Sequence, residues 1–134
     1  KIKDNLVLGV NNNGEVVSNW DLSAFNPAGG ILSSVEDLSR FARANFTEDP
    51  VLQLQRERTA KYNENIDIAL GWLIFNEGDE IIYWHNGGTG GYSSDMSINV
   101  NAKKSIIILS NVSAFVNEVK QFRSLNFSLL SEMN

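Results

Sequence analysis

The residues best suited to chemistry lie together in the segment Trp84–Ser94. The only histidine of the chain, His85, stands at the end of the apolar run Ile81–Trp84, and four glycines follow within six residues. Histidine exchanges a proton near neutral pH. Glycine has no Cβ, so a ligand or another strand can lie directly against its backbone. A proton carrier beside accessible backbone N–H groups is suited to binding and polarising a carbonyl or carboxylate.

The composition limits the classes of function. A chain of 134 residues, 43% of them hydrophobic, suffices for one domain with a moderate core. The net charge of -5 disfavours nucleic acid as a partner, because phosphate binding needs a basic surface. No apolar run is long enough to span a membrane, and the longest, residues 106–109, predicts a buried strand. Cysteine is absent, and no side-chain spacing suits a metal, so we predict neither a metal nor a cofactor.

A hairpin and two helices are predicted for the first half of the chain. The apolar stretches 6–9 and 15–17 flank an Asn-rich stretch ending in glycine, which is typical of a hairpin turn. Residues 26–30 predict a loop. Ser34 is the expected N-cap of a helix, and residues 51–60 predict a short second helix. One apolar stripe of the first helix is expected to face the core and comprises Val35, Leu38, Phe41 and Ala42.

An antiparallel meander is predicted for the second half. Four strands are expected over residues 68–76, 80–86, 91–100 and 104–110, separated by turn residues. Trp72 and Trp84 are expected in the core of this sheet. The last element, residues 113–132, predicts a helix with one apolar face: Val116, Val119, Phe122, Leu125, Leu129 and Leu130. Helices, then strands, then a helix predict an α+β fold in which helices cover an antiparallel sheet.

Four segments carry a resemblance to a known family. Residues 27–41 read Pro-Ala-Gly-Gly-Ile-Leu-Ser-Ser-Val-Glu-Asp-Leu-Ser-Arg-Phe, and residues 70–72 read Leu-Gly-Trp. Residues 85–94 carry a His-x-Gly motif followed by a Gly-rich strand, and residues 106–111 form an apolar strand ending in Ser-Asn. In this order they resemble the serine β-lactamase-like family, which groups class C β-lactamases, D-alanyl-D-alanine peptidases and related esterases. The resemblance runs over nearly the whole chain.

The resemblance implies roles for five residues of the third catalytic motif of that family. His85 takes the position of a Lys or His that helps to hold the substrate carboxylate and tunes proton transfer. Gly88 takes the position that contributes one oxyanion-hole N–H, a donor typically worth a few kcal/mol in the transition state. The implied substrate-binding residues are Asn86, Gly87 and Thr89. His85 in place of Lys points toward peptidase- or esterase-like members.

Two motifs of the family are absent from these 134 residues. The nucleophilic Ser-x-x-Lys and the Tyr-x-Asn that manages the proton both precede, in the family, the segments found here. The chain therefore resembles only the C-terminal part of such an enzyme. We expect it to supply one wall of the active site and to be catalytically inert alone.

Two interpretations of the function follow from the sequence. The first is a C-terminal fragment of a serine hydrolase that cleaves a β-lactam, a D-amino-acid peptide or an ester through an acyl-enzyme. The second is a non-catalytic domain of the same fold that binds a peptide or a protein. The expected partners are a small-molecule or peptide substrate in the parent enzyme, and either a second copy or the missing N-terminal part. The resemblance implies export to the periplasm or the extracellular space.

Overall fold

The main feature of the fold is a six-stranded antiparallel sheet whose strands lie in chain order, beside a separate two-stranded hairpin. The computed structural model describes residues 5–133. In chain order the elements are β1 (Gly9–Val10), β2 (Val16–Val17), a 3-10 helix (Ser23–Phe25), α1 (Asn26–Gly29), α2 (Val35–Asn45), α3 (Pro50–Leu54), β3 (Arg58–Lys61), β4 (Ile66–Ala69), β5 (Leu73–Glu77), β6 (Glu80–Gly88), β7 (Ser93–Asn99), β8 (Lys104–Ser110), a 3-10 helix (Asn117–Gln121) and α4 (Phe122–Glu132).

Helices cover both faces of the large sheet, as the sequence predicts for a mixed fold with an antiparallel sheet. On one face α2 packs over a core cluster that contains Trp72, and on the other α4 packs over a cluster that contains Trp84. The first cluster is formed by Ala42, Ala69, Trp72, Ile74, Met96 and Ile98. The second is formed by Phe75, Ile82, Trp84 and Leu130. Both tryptophans therefore lie in the sheet core, as expected.

The start of α2 follows from the predicted cap. The side chain of Ser34 accepts a hydrogen bond from the backbone N–H of Asp37 at 3.1 Å, which satisfies one of the free amides of the first turn. The predicted hairpin is also present, but its strands are shorter than expected, because only Gly9 and Val10 pair with Val17 and Val16.

Two predictions for the first half are wrong. Residues 26–30 contain the one-turn helix α1 rather than a loop, since Pro27 in the first turn has a backbone angle already suited to a helix. The second helix ends at Leu54 instead of continuing to residue 60. The chain then forms β3, because Arg58–Lys61 can pair with β4 and the Arg58 guanidinium lies 3.0 Å from the carboxylate of Asp67.

The strand predicted over residues 68–76 is in fact two strands, β4 and β5, and with β3 the sheet has six strands rather than the four predicted. The chain reverses at Leu70–Trp72, where the backbone N–H of Ala69 donates to the carbonyl of Trp72 at 2.8 Å. The N–H of Gly71 donates to the carbonyl of Gln55 at 2.9 Å, which ties this turn to the segment after α3.

The last helix starts later than predicted, and its predicted apolar face is buried only in part. A 3-10 turn precedes α4, and the buried residues of α4 are Asn126 and Leu130, whereas Leu125 and Leu129 are exposed. A buried hydrogen bond explains why Asn126 faces the sheet: the hydroxyl of Ser97 on β7 donates to the side-chain oxygen of Asn126. Among the described residues, no helix is both long and apolar enough to cross a bilayer.

Candidate active-site edge

The predicted site residues His85–Gly88 occupy the last four positions of β6. The pairing of β5 with β6 ends at Leu73 opposite Trp84, whereas the pairing of β6 with β7 continues to Gly88 opposite Ser93. In the described part of the chain, these four residues therefore have a strand on one side only. We call their other side the open edge.

The pairing register of β5 and β6 shows which backbone N–H and C=O groups of β6 point to the open edge. Glu77 and Glu80 flank the two-residue turn Gly78-Asp79, in which Gly78 has a φ of 63°, and such flanking residues exchange both hydrogen bonds. Even-numbered residues of β6 therefore direct their N–H and C=O groups toward β5. Beyond the end of β5, the same alternation directs the groups of Asn86 and Gly88 into the open edge.

His85 lies exposed beside this edge. Its Nδ1 is 2.7 Å from the carbonyl oxygen of Asn86. A carbonyl only accepts, so Nδ1 carries the proton in this contact, and Nε2 of the neutral ring is left as the free acceptor. The ring can accept a proton through Nε2 or, once protonated, bind an anion.

The strand separates the predicted residues into two sets. The side chain of His85 lies on the same face of the sheet as Tyr83 and as Met96, which is the strand partner of His85. This is the face covered by α2. Asn86 alternates to the other face, where its strand partner is Asp95. The four positions thus share an edge through their backbone, but their side chains do not all face one pocket.

The glycines of this segment are explained in part by close packing within the chain. A Cβ on Gly88 would overlap the Cβ of Ala114. A Cβ on Gly90 would lie 3.0 Å from the indole of Trp20, and one on Gly91 would lie 3.2 Å from the Cα of Gly9. The expected close approach is therefore real, and the neighbour at these positions is the protein itself.

Thr89 organises the turn after β6. Its hydroxyl oxygen accepts from the backbone N–H groups of Gly91 at 3.3 Å and Tyr92 at 3.1 Å. Its backbone carbonyl accepts from the N–H of Ala114 at 3.0 Å. The Thr89 side chain is thus engaged within the turn that fixes the end of the open edge.

A groove beside the open edge contains a residue that the sequence analysis missed. The groove has a volume of about 150 Å³ and is lined by Asn86, Gly88, Asp95, Ala114 and Lys120, among others. A larger hollow of about 450 Å³ lies between the α2–α3 segment and the sheet, but it contains none of the predicted site residues.

The missed residue is Asp95, which is 3% exposed and is the strand partner of Asn86 on the neighbouring strand β7. Its carboxylate accepts a hydrogen bond from the Trp84 indole N–H at 2.9 Å. Burial raises the pKa of Asp95 above its ordinary value, and hydrogen bonds from Trp84 and Asn126 and the charge of Arg123 offset this only in part. In the sequence Asp95 stands among the alternating polar positions of β7, so no local signal marked it as buried.

Comparison with known proteins identifies the class of protein. Residues 4–125 match the family model described as Beta-lactamase, so the chain belongs to the β-lactamase family. Penicillin-binding protein 4* of Bacillus subtilis (strain 168) is similar, with 32% identity over 89 residues that cover 62% of this chain. Those residues cover 20% of that protein, so the chain spans about a fifth of the length of this curated relative. No solved structure matched the chain.

Proposed function

We propose that this chain is the C-terminal part of a serine hydrolase of the β-lactamase family and supplies the His85–Gly88 wall of its active site. The observation that carries the proposal is the open edge. An extended substrate can add to such an edge as a further strand, using the backbone groups of Asn86 and Gly88. The N–H of Gly88 is the donor suited to a developing oxyanion, because it points away from β7 with no strand partner among the described residues.

The chemistry assigned to this wall is acyl transfer to a serine. His85, with its free Nε2, either takes a proton or holds the substrate carboxylate as a cation. The nucleophile must come from another part of the polypeptide, since these 134 residues contain no Ser-x-x-Lys. The substrates are small amides or esters: a β-lactam, a D-amino-acid peptide or a simple ester. The name of the Bacillus subtilis relative, a penicillin-binding protein, favours a site that reacts with β-lactams.

The first experiment determines the coding sequence upstream of Lys1 and expresses the longer polypeptide. We expect Ser-x-x-Lys and Tyr-x-Asn in that sequence, and hydrolysis of a chromogenic cephalosporin or a nitrophenyl ester. His85→Ala should lower turnover at least about tenfold, because an electrostatic group of the cleft is lost. Asn101→Ala, in the exposed turn after β7, is the matched control and should leave turnover unchanged.

Two results would contradict this proposal. Wild-type turnover in the His85→Ala variant would remove the role of the histidine. Turnover by the isolated 134-residue chain, above the rate in buffer and abolished by substitution of one of its own serines, would show that the chain is not inert.

A second candidate is a non-catalytic domain that binds a peptide along the same open edge. The absence of a nucleophile motif from these 134 residues favours it. Titration of the ¹⁵N-labelled chain with a peptide ending in D-alanyl-D-alanine is the test. Saturable shifts of the Asn86 and Gly88 amides, in a gene without the two upstream motifs, would support the binding domain over the hydrolase.

A further inference from the structure

A buried carboxylate lies beside the strand end that forms the open edge. Asn86 and Asp95 are strand partners, and the register makes them a pair without mutual backbone hydrogen bonds. In such a pair the Cα atoms are about 4.5 Å apart and the side chains lie close together on one face. Asp95 is buried and also lines the groove beside the open edge. An acidic group is thus placed against a predicted substrate-binding residue.

The Asp95 carboxylate connects this part of β6 to two other elements. It accepts the Trp84 indole N–H at 2.9 Å, a contact that runs diagonally across the sheet past His85. Asn126 of α4 also donates a hydrogen bond to it. The pairing of β5 with β6 ends at Leu73 opposite Trp84. The contact therefore lies where β6 loses its second strand partner.

The Trp84 indole is held between two opposite charges. Its N–H donates to the carboxylate of Asp95, and the guanidinium of Arg123 lies over its ring, 5.7 Å from the centroid. The Phe75 ring meets the indole edge-on, with ring centroids 5.8 Å apart. A cation over the ring face and an anion at the N–H each favour one orientation of the ring. The indole therefore links Asp95 to the β6 backbone directly before His85.

Stability alone does not explain an acid at this position. Burial raises the pKa of Asp95, so the surroundings disfavour its charged form despite the nearby Arg123. An apolar side chain would pack without this cost, and an amide would accept the indole N–H without a charge. A carboxylate, however, accepts a hydrogen bond roughly twice as strongly as a neutral group does. Buried acids of this kind occur preferentially at functional sites.

We propose that Asp95 is a positioning residue that fixes His85 and the backbone of the open edge through the Trp84 indole. Its importance for catalysis rests on the proposed function, because a proton carrier and an oxyanion donor act only at a set distance from the substrate. The far end of the strand is fixed separately, by the packing of Gly88 against Ala114. Asp95 fixes the near end, where β5 no longer pairs with β6.

Hydrogen exchange on the 134-residue chain tests this positioning role. The amides of His85 and Gly87 point toward β7 and pair with it, so their exchange reports local opening of the strand end. Asp95→Leu removes the acceptor and should speed their exchange at least about tenfold. Asp95→Asn keeps an acceptor oxygen and should change the exchange less than about threefold. Trp84→Phe removes the donor, keeps an aromatic ring in place, and should match Asp95→Leu.

Asn99→Leu is the matched control. Asn99 is as buried as Asp95 and lies on the same face of β7, but its side chain accepts the backbone N–H of Ala102 rather than a group of β6. Its replacement should lower overall stability and leave exchange of the His85 and Gly87 amides at the wild-type rate. Equal acceleration in Asn99→Leu would overturn the positioning role, because the effect would then be global. Wild-type exchange in both Asp95→Leu and Trp84→Phe would overturn it too.

Turnover by the longer polypeptide separates this role from the proposed function. Asp95→Leu should lower turnover at least about tenfold and Asp95→Asn less than about threefold, since a displacement of about 1 Å at a reacting site is costly. Unchanged turnover in a variant whose His85 and Gly87 amides exchange faster would overturn the positioning role. Absence of turnover in the unaltered polypeptide would contradict the proposed function instead, and the exchange rates would still decide whether Asp95 fixes the strand end.

Discussion

The packing of Gly88 against Ala114 allows a quantitative test of how the open edge is fixed. Gly88 has an ordinary strand backbone, so alanine is conformationally acceptable there. Its Cβ would nevertheless overlap the Cβ of Ala114 by more than about 1 Å relative to an ordinary carbon–carbon contact. Overpacking of this kind costs about 1–3 kcal/mol, and the lower entropy of the unfolded chain returns about 0.4–1 kcal/mol. We therefore expect Gly88→Ala to lower the free energy of unfolding by about 1–2 kcal/mol.

The neighbouring glycine provides the matched control. A Cβ on Gly87 would lie 2.7 Å from the hydroxyl oxygen of Ser94, which can rotate away, whereas the methyl of Ala114 is fixed to the backbone. Gly87→Ala should therefore change the free energy of unfolding by less than about 0.5 kcal/mol or stabilise the chain slightly.

A double-mutant cycle assigns the cost to a single contact. Without the Ala114 methyl, the nearest atom to the new Cβ is the Ala114 Cα at 3.8 Å, an ordinary contact. The variant Gly88→Ala with Ala114→Gly should therefore recover most of the lost stability, giving a coupling of about 1–3 kcal/mol. Urea unfolding monitored by tryptophan fluorescence measures all four chains, with unchanged m-values as the check on two-state behaviour. If Gly88→Ala unfolded with the free energy of the wild type, or if the double variant regained no stability, the close contact between Gly88 and Ala114 would be refuted.

Further predictions concern buried polar groups. The pKa of Asp95 is raised in the folded state, so the pH-dependent cost of its burial is absent below the unfolded pKa near 3.8, grows as pH rises from there to the folded pKa, and is constant above it. Asp95→Asn should therefore gain stability relative to the wild type between acid and neutral pH in urea titrations, and a constant difference across that range would contradict it. The buried indole N–H of Trp72 has no hydrogen-bond partner among the described residues, whereas that of Trp84 donates to Asp95. Trp72→Phe should accordingly destabilise the chain less than Trp84→Phe by about 1 kcal/mol or more, and equal losses would show that the Asp95 contact contributes nothing.

Local signals in the sequence predicted those elements whose cause is local. The Ser34 cap sets the start of α2, and the turn at Gly78 sets the register of β6, because each depends on residues within a few positions. The location of His85–Gly88 at the end of a strand was predictable for the same reason.

Long-range contacts determine what the sequence did not predict. The alternation along β7 places four polar residues on one face of the strand, and all four are buried: Ser93, Asp95, Ser97 and Asn99. Their partners include Asn126, which is 29 positions away from Ser97 along the chain. The open edge likewise depends on where β5 stops, and no local pattern marks that position. Whether the open edge binds substrate remains a prediction.

The buried polar row of β7 also limits how this sequence can vary. Ser97 and Asn126 are fully buried and hydrogen-bond each other, so replacing either one alone leaves a buried polar atom without this partner. Replacing both by apolar residues of similar volume leaves neither of these two groups unpaired, and its remaining cost is the loss of the hydrogen bonds that Asn126 makes to Asp95 and to the Ile106 carbonyl. Substitutions at these two positions should therefore be tolerated in pairs rather than singly, and a library randomised at both positions should recover matched polar pairs and matched apolar pairs while losing the mixed ones.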